Sequence, residues 1–515
     1  MAMMFTADAR TIREVIFDDS KISIPQFVAI CRYDAKVTFT SAYEERVRAS
    51  RKALEDKLVE RQPIYGVNTG FGDNVRFAVS DEDLTKLQVN ILRSHPCSVG
   101  ESLSREHVRG LLLMLLVTVG HGYSAVRFEI LELARDFLNL GITPHVPYGG
   151  SIGGLSYAPY ASLTLIGEGR VIENGKIVPT MDVLRKHELE PVKLQAREGL
   201  GIVSPMAAQI GAALFGIYDL VEALRHADLC AALVCEALQC SDMVFNLRLM
   251  ELKKHKEHLA TAKWLNKIRT GSKIVEDARG KKVQDCSCVR IIPHLFGATK
   301  QMTAHAYAAF ENEFHSVLDN PVFLPDGTAL MGSNWDASFI TIYSESLCVA
   351  VADLSKALGA HMRRMVDTKL SGLPPFLVKK PGVNNGFMIV QYVTEGLLLE
   401  LAHLSNPITT FHTSVSAGQE EPHALGDCAG RKLCNVVERF RNLVALTSMT
   451  ALQAIDFIDA DSSPVLSMVY DEVRKTVSFM EEDDTMYERV EAMQKIVESG
   501  ALLRLLQQEM GEFTI

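Results

Sequence analysis

The sequence lacks several features that would assign it to particular classes of protein. Its ten cysteines form no C-x-x-C pair, and the nearest two, Cys286 and Cys288, have no second pair close by. We therefore expect reduced thiols and no metal site. The chain has no block of basic residues and its formal net charge is -10. This balance disfavours nucleic acid as a partner.

Long apolar stretches and a secretion signal are also missing. The longest apolar run, near residues 111–119, is far shorter than the roughly 18 residues that a membrane span needs. The N-terminus is charged from residue 8 onward and has no apolar core of a signal peptide. We therefore expect a soluble, cytoplasmic protein without a membrane partner.

Helical patterns dominate the chain after residue 195. The segments 204–240, 336–365 and 431–457 are apolar on several faces, which is typical of buried helices. Ser204 and Pro205 predict the start of the first of them. These segments predict a central bundle of long helices that continues across a subunit interface.

The first 195 residues have a different pattern of shorter elements and glycine-rich turns. Residues 36–40 look like a strand, and residues 170–180 read as a hairpin around the turn "ENG". We predict a mainly α-helical fold with two parts. Residues 1–195 form a smaller mixed lobe, and residues 196–515 form the long-helix bundle and a C-terminal helical region.

Four segments carry side chains suited to chemistry. They are "YGVNTGFG" at 65–72, the glycine-rich loop at 147–169, "QDCSCVR" at 284–290 and "AGQEEPHALG" at 417–426. No lysine followed by serine or threonine comes after the glycines of the second segment, so it is not a phosphate-binding loop.

The sequence resembles the family of histidine and aromatic amino acid ammonia-lyases and aminomutases. "YGVNTGFG" matches a family motif letter for letter, and further motifs follow in the family's order: "LRSHP", "LIGEG", "LDNPVF", "SGLPPFLVKKPGVNNGFMIVQY", "GQEEPHALG" and "LQAIDF". Collinear motifs over most of a chain are far more specific than one alone. The resemblance implies a mainly α-helical homotetramer whose active sites draw loops from three subunits.

Within this family the chain is similar to the histidine-acting branch. Ser94 and His95 of "LRSHP" and Glu420 of "GQEEPHALG" match residues that face an imidazole ring there. The resemblance therefore implies a small-molecule substrate that is an imidazole amino acid or betaine.

The sequence departs from the family in the loop that makes its cofactor. Family members carry Ala-Ser-Gly followed by Asp-Leu, and the tripeptide cyclises to an electrophilic methylidene-imidazolone. Here the loop reads "GSIGGLSYAPYA", with Gly153-Gly154 and then Leu155 near the place of the aspartate. A single letter standing for a fused tripeptide would also fit the loop's length. We predict that no cofactor forms.

Two further departures favour loss of the electrophile. The family has an asparagine after "EGL" that supports the electrophile, whereas this chain has Ser204 and Pro205 there. In "QDCSCVR", Ser287 stands where the family has a tyrosine. We interpret the three changes as removal of the electrophile as a unit.

A lyase without the electrophile needs a substrate that is already activated. Trimethylammonium leaves as neutral trimethylamine, and an imidazole-2-thione ring delocalises charge formed at the β-carbon. Ergothioneine has both features, and the chain is similar to ergothionases, which release trimethylamine from it and leave thiourocanate. Two alternatives stay open: a histidine ammonia-lyase, and a non-catalytic oligomer that binds an imidazole compound.

The resemblance also assigns roles to single residues. Tyr65 would be the general base, with its pKa lowered by a cation. Lys379 and Lys380 would supply that cation or stabilise charge on the thione, unless they form only a solvated basic loop. Arg290 would bind the substrate carboxylate and Glu420 the ring nitrogens.

The remaining candidates contact the substrate in the same interpretation. Trp335 and Asp336 suit a quaternary ammonium group; alternatively they are a packed tryptophan and a helix-capping aspartate. Asn68 and Asn320 belong to family motifs, and Glu421 adjoins Glu420 and is either a contact or structural.

Overall fold

The computed structural model describes residues 8–19, 21–60, 62–203, 207–411 and 414–511. Ser204 and Pro205, which we predicted to begin a long helix, lie outside these residues.

The first part of the chain mixes helices with short strands. Its elements are β1 (Glu14–Phe17), α1 (Ile24–Tyr33), β2 (Lys36–Phe39), α2 (Ser41–Leu58), α3 (Leu84–Ser94), β3 (Val99–Ser102), α4 (Arg105–Gly120), α5 (Phe128–Leu140), β4 (Thr143–Pro144), β5 (Pro147–Gly149), α6 (Ala158–Leu165), β6 (Arg170–Glu173), β7 (Lys176–Pro179), α7 (Thr180–Lys186) and α8 (Glu198–Val203).

The rest of the described chain is almost entirely helical. Its elements are α9 (Ala207–Ala237), α10 (Leu247–Met250), α11 (Lys256–Ile268), α12 (Lys273–Ala278), α13 (Ser287–Arg290), α14 (Ile292–Phe314), β8 (Val322–Phe323), β9 (Ala329–Leu330), α15 (Ser338–Val366), α16 (Thr368–Ser371), α17 (Met388–Leu404), α18 (Gly426–Ile455), α19 (Pro464–Arg474), α20 (Met486–Ser499) and α21 (Ala501–Met510).

The strands form small sheets at the edges of the helical body. β1 pairs with β2 in parallel, and the other pairs are antiparallel: β3 with β5, β4 with β6, β6 with β7, and β8 with β9. The predicted hairpin is confirmed as β6–β7, since Glu173 pairs with Lys176 across the turn. Asn174 and Gly175 both have positive φ there, as a tight two-residue turn requires.

The long helices α9, α14, α15, α17 and α18 form the predicted bundle. α9 packs along α18, which also packs on α15, and α14 lies against α15. By length and composition, α15 and the stretch 198–237 would suit a membrane span, but the apolar window of 198–237 is wholly buried inside the protein. The apolar character of α9 thus reflects its place at the centre of the bundle.

One buried ion pair lies inside this core. The Lys300 ammonium on α14 lies 2.6 Å from the Asp228 carboxylate on α9, and both side chains are almost fully buried. Thr261 accepts a further hydrogen bond from the same ammonium at 3.0 Å. A buried charge is tolerated only when its partners replace the lost water.

A second buried pair joins the start of α8 to the loop before β8. The Arg197 guanidinium lies 2.6 Å from the Asp319 carboxylate, and both side chains are 0% exposed. Arg197 also donates to the backbone carbonyls of Ser124, Asn320 and Pro321 at 3.2–3.3 Å. One side chain therefore ties its own segment to two others, at Ser124 and at Asn320–Pro321.

Arg197→Met should lower the apparent free energy of unfolding by about 3–5 kcal/mol, because it leaves the Asp319 carboxylate buried without its counter-charge. Arg363→Met is the matched control: the Arg363–Glu395 pair is half exposed, and its loss should cost about 1 kcal/mol or less. Denaturant titrations at one fixed protein concentration measure both. Equal losses of unfolding free energy in the two variants would show that the buried pair stabilises the fold no more than the exposed pair does.

Candidate active site

A cavity of about 360 Å³ lies where loops from distant parts of the chain meet. The lining residues come from the 65–72 loop, the end of α3, the glycine-rich loop, the start of the bundle and the segment before α18: Tyr65, Phe71, Gly72, Asn74, Ile91, Ser94, His95, Gly153, Leu155, Leu200, Val203, Gln209, Asn320, Trp335, Ser416, Glu420 and His423. Five predicted site residues, Tyr65, His95, Asn320, Trp335 and Glu420, thus share one cavity.

Tyr65 is held in the cavity wall by the glycines of its own loop. Gly66 has a φ of 64°, and a Cβ there would lie 2.2 Å from a methyl carbon of Leu200, so the loop backbone packs directly on α8. Gly72 also has positive φ, and its N–H donates to the Tyr65 hydroxyl oxygen at 2.9 Å. This bond orients the hydroxyl group and would stabilise a phenolate.

The electrostatic surroundings of Tyr65 within one chain oppose ionisation. Burial raises the pKa of Tyr65, and the charge of Glu420 raises it further. The Gly72 N–H and the Arg197 guanidinium act in the opposite direction but do not reverse the shift. The expected lowering of this pKa by a lysine is therefore not met within one chain.

His95 follows the last residue of α3 and faces the cavity. The Ser94 hydroxyl lies 3.0 Å from Nδ1 of His95, within hydrogen-bonding distance. Burial lowers the pKa of His95, which favours the neutral ring near pH 7. A neutral imidazole can donate from one nitrogen and accept at the other.

His423 is a wall residue that the sequence reasoning missed. Its ring stacks on Trp335, with ring centroids 5.7 Å apart, and its Nδ1 lies 3.3 Å from the Glu420 carboxylate. The only available signal was a histidine close to two glutamates in "QEEPHALG". An imidazole, an indole and a carboxylate therefore form one side of the cavity.

The glycine-rich loop packs so closely that it leaves no room for side chains at two positions. A Cβ at Gly153 would lie 2.2 Å from Nε2 of His423, and a Cβ at Gly154 would lie 2.1 Å from the Cβ of Ala208. Both glycines have positive φ. The Gly153 N–H donates to the buried Asp427 carboxylate at 3.1 Å, which anchors the loop.

These residues do not fit the family's methylidene-imidazolone. The methylidene carbon of that group is the Cβ of the central serine, and neither Gly153 nor Gly154 has a Cβ. His423 and Ala208 occupy the space that added atoms would need. We therefore derive no chemical step through this group.

Three residues that we predicted to contact the substrate do not line the cavity. Asn68 supports the Tyr65 loop, since its side chain accepts from the Ile64 N–H at 2.7 Å and donates to the Gln62 carbonyl at 2.8 Å. Asp336 accepts from the Ser338 N–H at 2.9 Å beside the start of α15, where Ala337 is the N-cap residue. Glu421 is exposed and is not among the lining residues.

The three basic residues that we assigned to the active site also lie outside this cavity in the single chain. Arg290 lines a different cavity and donates to the Asp285 carbonyl at 2.8 Å. Lys379 and Lys380 lie on the surface and pair with Glu481 at 2.8 Å and Glu482 at 3.4 Å.

The cavity of one chain therefore holds only part of the chemistry that the sequence predicts. Among the described residues that line it, none is lysine or arginine. A phenol, two imidazoles and a carboxylate can move a proton and bind a heteroaromatic ring. The described residues that line the cavity thus supply no positively charged side chain for a substrate carboxylate.

Comparison with known proteins agrees with the fold and the motifs. Histidine ammonia-lyase from Symbiobacterium thermophilum is 32% identical over 495 residues, which cover 95% of this chain and 98% of that protein. The crystal structure of histidine ammonia-lyase from Trypanosoma cruzi superposes with a TM-score of 0.89 at 26% identity, covering 96% of this chain and 95% of that one.

A third comparison concerns the ergothioneine-degrading enzyme ergothionase from Treponema denticola, solved in complex with desmethyl-ergothioneine sulfonic acid. It superposes with a TM-score of 0.88 at 24% identity, covering 95% of this chain and 99% of that one, which shows a shared fold. Residues 22–475 match the aromatic amino acid lyase family. The chain belongs to the aromatic amino acid lyase family, whose ammonia-lyases break carbon–nitrogen bonds.

Proposed function

We propose that this lyase eliminates trimethylamine from ergothioneine and leaves thiourocanate, without an electrophilic cofactor. The observation that carries the proposal is the contact between Gly153 and His423. The loop that makes the electrophile in relatives has no Cβ at two positions, and the space above it is filled by an imidazole. The substrate must then carry its own leaving group.

The elimination needs a base and an acceptor of charge. Tyr65 takes the proton from the β-carbon of the substrate, the electron pair of that C–H bond forms the new carbon–carbon double bond, and the carbon–nitrogen bond breaks. Trimethylamine leaves as a neutral molecule and needs no proton. The thione of the ring spreads the negative charge that develops at the β-carbon.

The cavity wall suits the two ends of such a substrate. The Glu420 carboxylate can accept a hydrogen bond from one ring N–H of the thione, and the neutral His95 imidazole can accept one from the other. The Trp335 indole, which lines the same cavity, offers an aromatic face for the trimethylammonium group. The stacked His423 ring holds the indole in place.

We further propose a homotetramer in which Arg290, Lys379 and Lys380 reach the cavity of another copy. Large apolar side chains are exposed on α15 and α17, among them Phe339, Ile342, Ile389, Tyr392 and Leu399. Exposed apolar patches of this kind mark interfaces between chains. A lysine from a neighbouring copy would then lower the pKa of Tyr65.

Histidine ammonia-lyase activity is the second candidate, because curated relatives at 32% identity carry that name. Histidine has an ordinary ammonium group, which is a poor leaving group without activation. The cavity residues described above offer no such activation, so the proposal favours the betaine. A chain that only binds imidazole compounds would turn over neither substrate.

Absorbance scans with ergothioneine and with histidine identify which of the two is the substrate. We expect a new long-wavelength band from the conjugated thio-acrylate with ergothioneine, together with free trimethylamine, and no urocanate from histidine. The intact mass should equal that of the unmodified chain. Urocanate formation, or a mass deficit of two water molecules, would contradict the proposal.

Tyr65→Phe should lower kcat for ergothioneine by about 10²–10⁴-fold with little change in substrate binding, because it removes only the proton acceptor. Tyr487→Phe, at an exposed tyrosine, is the matched control and should be silent. The wild-type kcat/KM should fall at low pH as Tyr65 becomes protonated. Replacing the lysine that lowers this pKa should move the fall to higher pH.

Mixing inactive variants tests whether the site is shared between chains. Tyr65→Phe and Arg290→Ala chains, unfolded and refolded together, should recover part of the wild-type activity, because some sites then receive both intact residues. Each variant refolded alone should stay inactive. A monomer in sedimentation, or no recovery in a confirmed mixed oligomer, would count against the shared site.

A further inference from the structure

Cys286 and Cys288 form a close thiol pair that the proposed reaction does not use. Their sulfur atoms are 3.4 Å apart and within hydrogen-bonding distance. Both side chains are partly exposed, and they lie at the start of α13, whose last residue is Arg290. The pair is therefore next to the residue assigned to the substrate carboxylate.

The cavity around this pair is rich in charge. It has a volume of about 360 Å³, and its lining includes Lys282, Asp285, Arg290 and Arg364 as well as Cys286. The net positive character of this group favours a thiolate over a thiol. Cys286 is only partly buried in the single chain, so a small polar oxidant can reach its thiol there.

The two thiols differ in acidity for a geometric reason. The hydrogen bond from the Cys288 thiol is the main cause that lowers the pKa of Cys286, and the Arg364 guanidinium adds to the effect against burial. The same hydrogen bond raises the pKa of Cys288, and burial raises it further. Cys286 is thus suited to attack an oxidant and Cys288 to resolve the product.

Both ends of the segment are anchored. The Cys288 carbonyl lies 2.9 Å from Nε2 of the buried His361, and the Asp285 carboxylate accepts from the N–H and hydroxyl of Ser241 at 3.3 and 3.4 Å. A sulfur–sulfur bond would shorten the present separation by roughly 1.4 Å. Because the ends are fixed, the segment between them must distort.

We propose that Cys286 and Cys288 are a peroxide-sensitive dithiol that closes reversibly to a disulfide and weakens carboxylate binding by Arg290. The Cys286 thiolate attacks a peroxide oxygen, which gives a sulfenic acid and releases water or an alcohol. The Cys288 sulfur then displaces water from the sulfenic acid. The protein loses two hydrogen atoms in total, and the peroxide is reduced.

The effect on Arg290 follows from one hydrogen bond. Its Nε donates to the Asp285 carbonyl at 2.8 Å, so the guanidinium is positioned by the residue directly before Cys286. The distortion rotates the peptide unit between Asp285 and Cys286, which carries this carbonyl, while the Asp285 carboxylate stays anchored. The Arg290 guanidinium moves with the carbonyl. This half of the proposal rests on the proposed function, whereas disulfide formation does not.

The chemistry is tested on the full-length chain with hydrogen peroxide, alkylation of free thiols and peptide mass mapping. In the wild type we expect a Cys286–Cys288 disulfide that dithiothreitol reverses. Cys97→Ser, at an exposed cysteine, is the matched control and should behave like the wild type. Cys288→Ser should accumulate a dimedone-reactive sulfenic acid at Cys286, and Cys286→Ser should leave Cys288 reduced.

The consequence is tested by kinetics of reduced and oxidised enzyme. We expect oxidation to raise the KM for ergothioneine at least about tenfold, with recovery after reduction, and to leave Cys286→Ser unaffected. Over-oxidation of Cys286 without a cross-link would overturn the dithiol. A disulfide with unchanged KM would overturn its coupling to Arg290. If no substrate is turned over, the coupling fails with the proposed function, and mass mapping still decides the dithiol.

Discussion

The buried contact between Arg197 and Asp319 holds the candidate site together. The Arg197 guanidinium forms an ion pair with the Asp319 carboxylate and donates to the carbonyl of Asn320, which lines the cavity. Arg197 also directly precedes α8. The Leu200 N–H of that helix donates to the Gln88 side chain, and the Gln88 amide donates in turn to the Gly66 carbonyl, next to Tyr65. Tyr65 and Asn320, which both line the cavity, therefore share one support.

The cavity itself is shaped by contacts that tolerate no extra atoms. Glycines with positive φ let the Tyr65 loop pack on α8. In the same way Gly153 and Gly154 let the glycine-rich loop pack on His423 and Ala208. The resulting site has polar groups for a ring but no lining cation among its described residues. The proposed reaction therefore depends on the further proposal that cations reach this cavity from another copy of the chain.

Local patterns were readable from the sequence, and distant contacts were not. The hairpin at Arg170–Pro179 was predictable because its turn chemistry lies in adjacent residues. The long helix α9 was predictable because its sequence is apolar on nearly every face. The approach of His423 to Gly153 joins residues 270 positions apart, so no local pattern contains it. The pKa of Tyr65 depends likewise on burial and on Glu420.

The contact between Gly153 and His423 also bears on how such a protein evolves. Any residue other than glycine at position 153 collides with the imidazole ring. An alanine or serine at position 153 would fit only beside a smaller residue at position 423, and a smaller residue there would open the cavity wall. Positions 153 and 423 therefore constrain each other, and neither can change alone without altering the cavity.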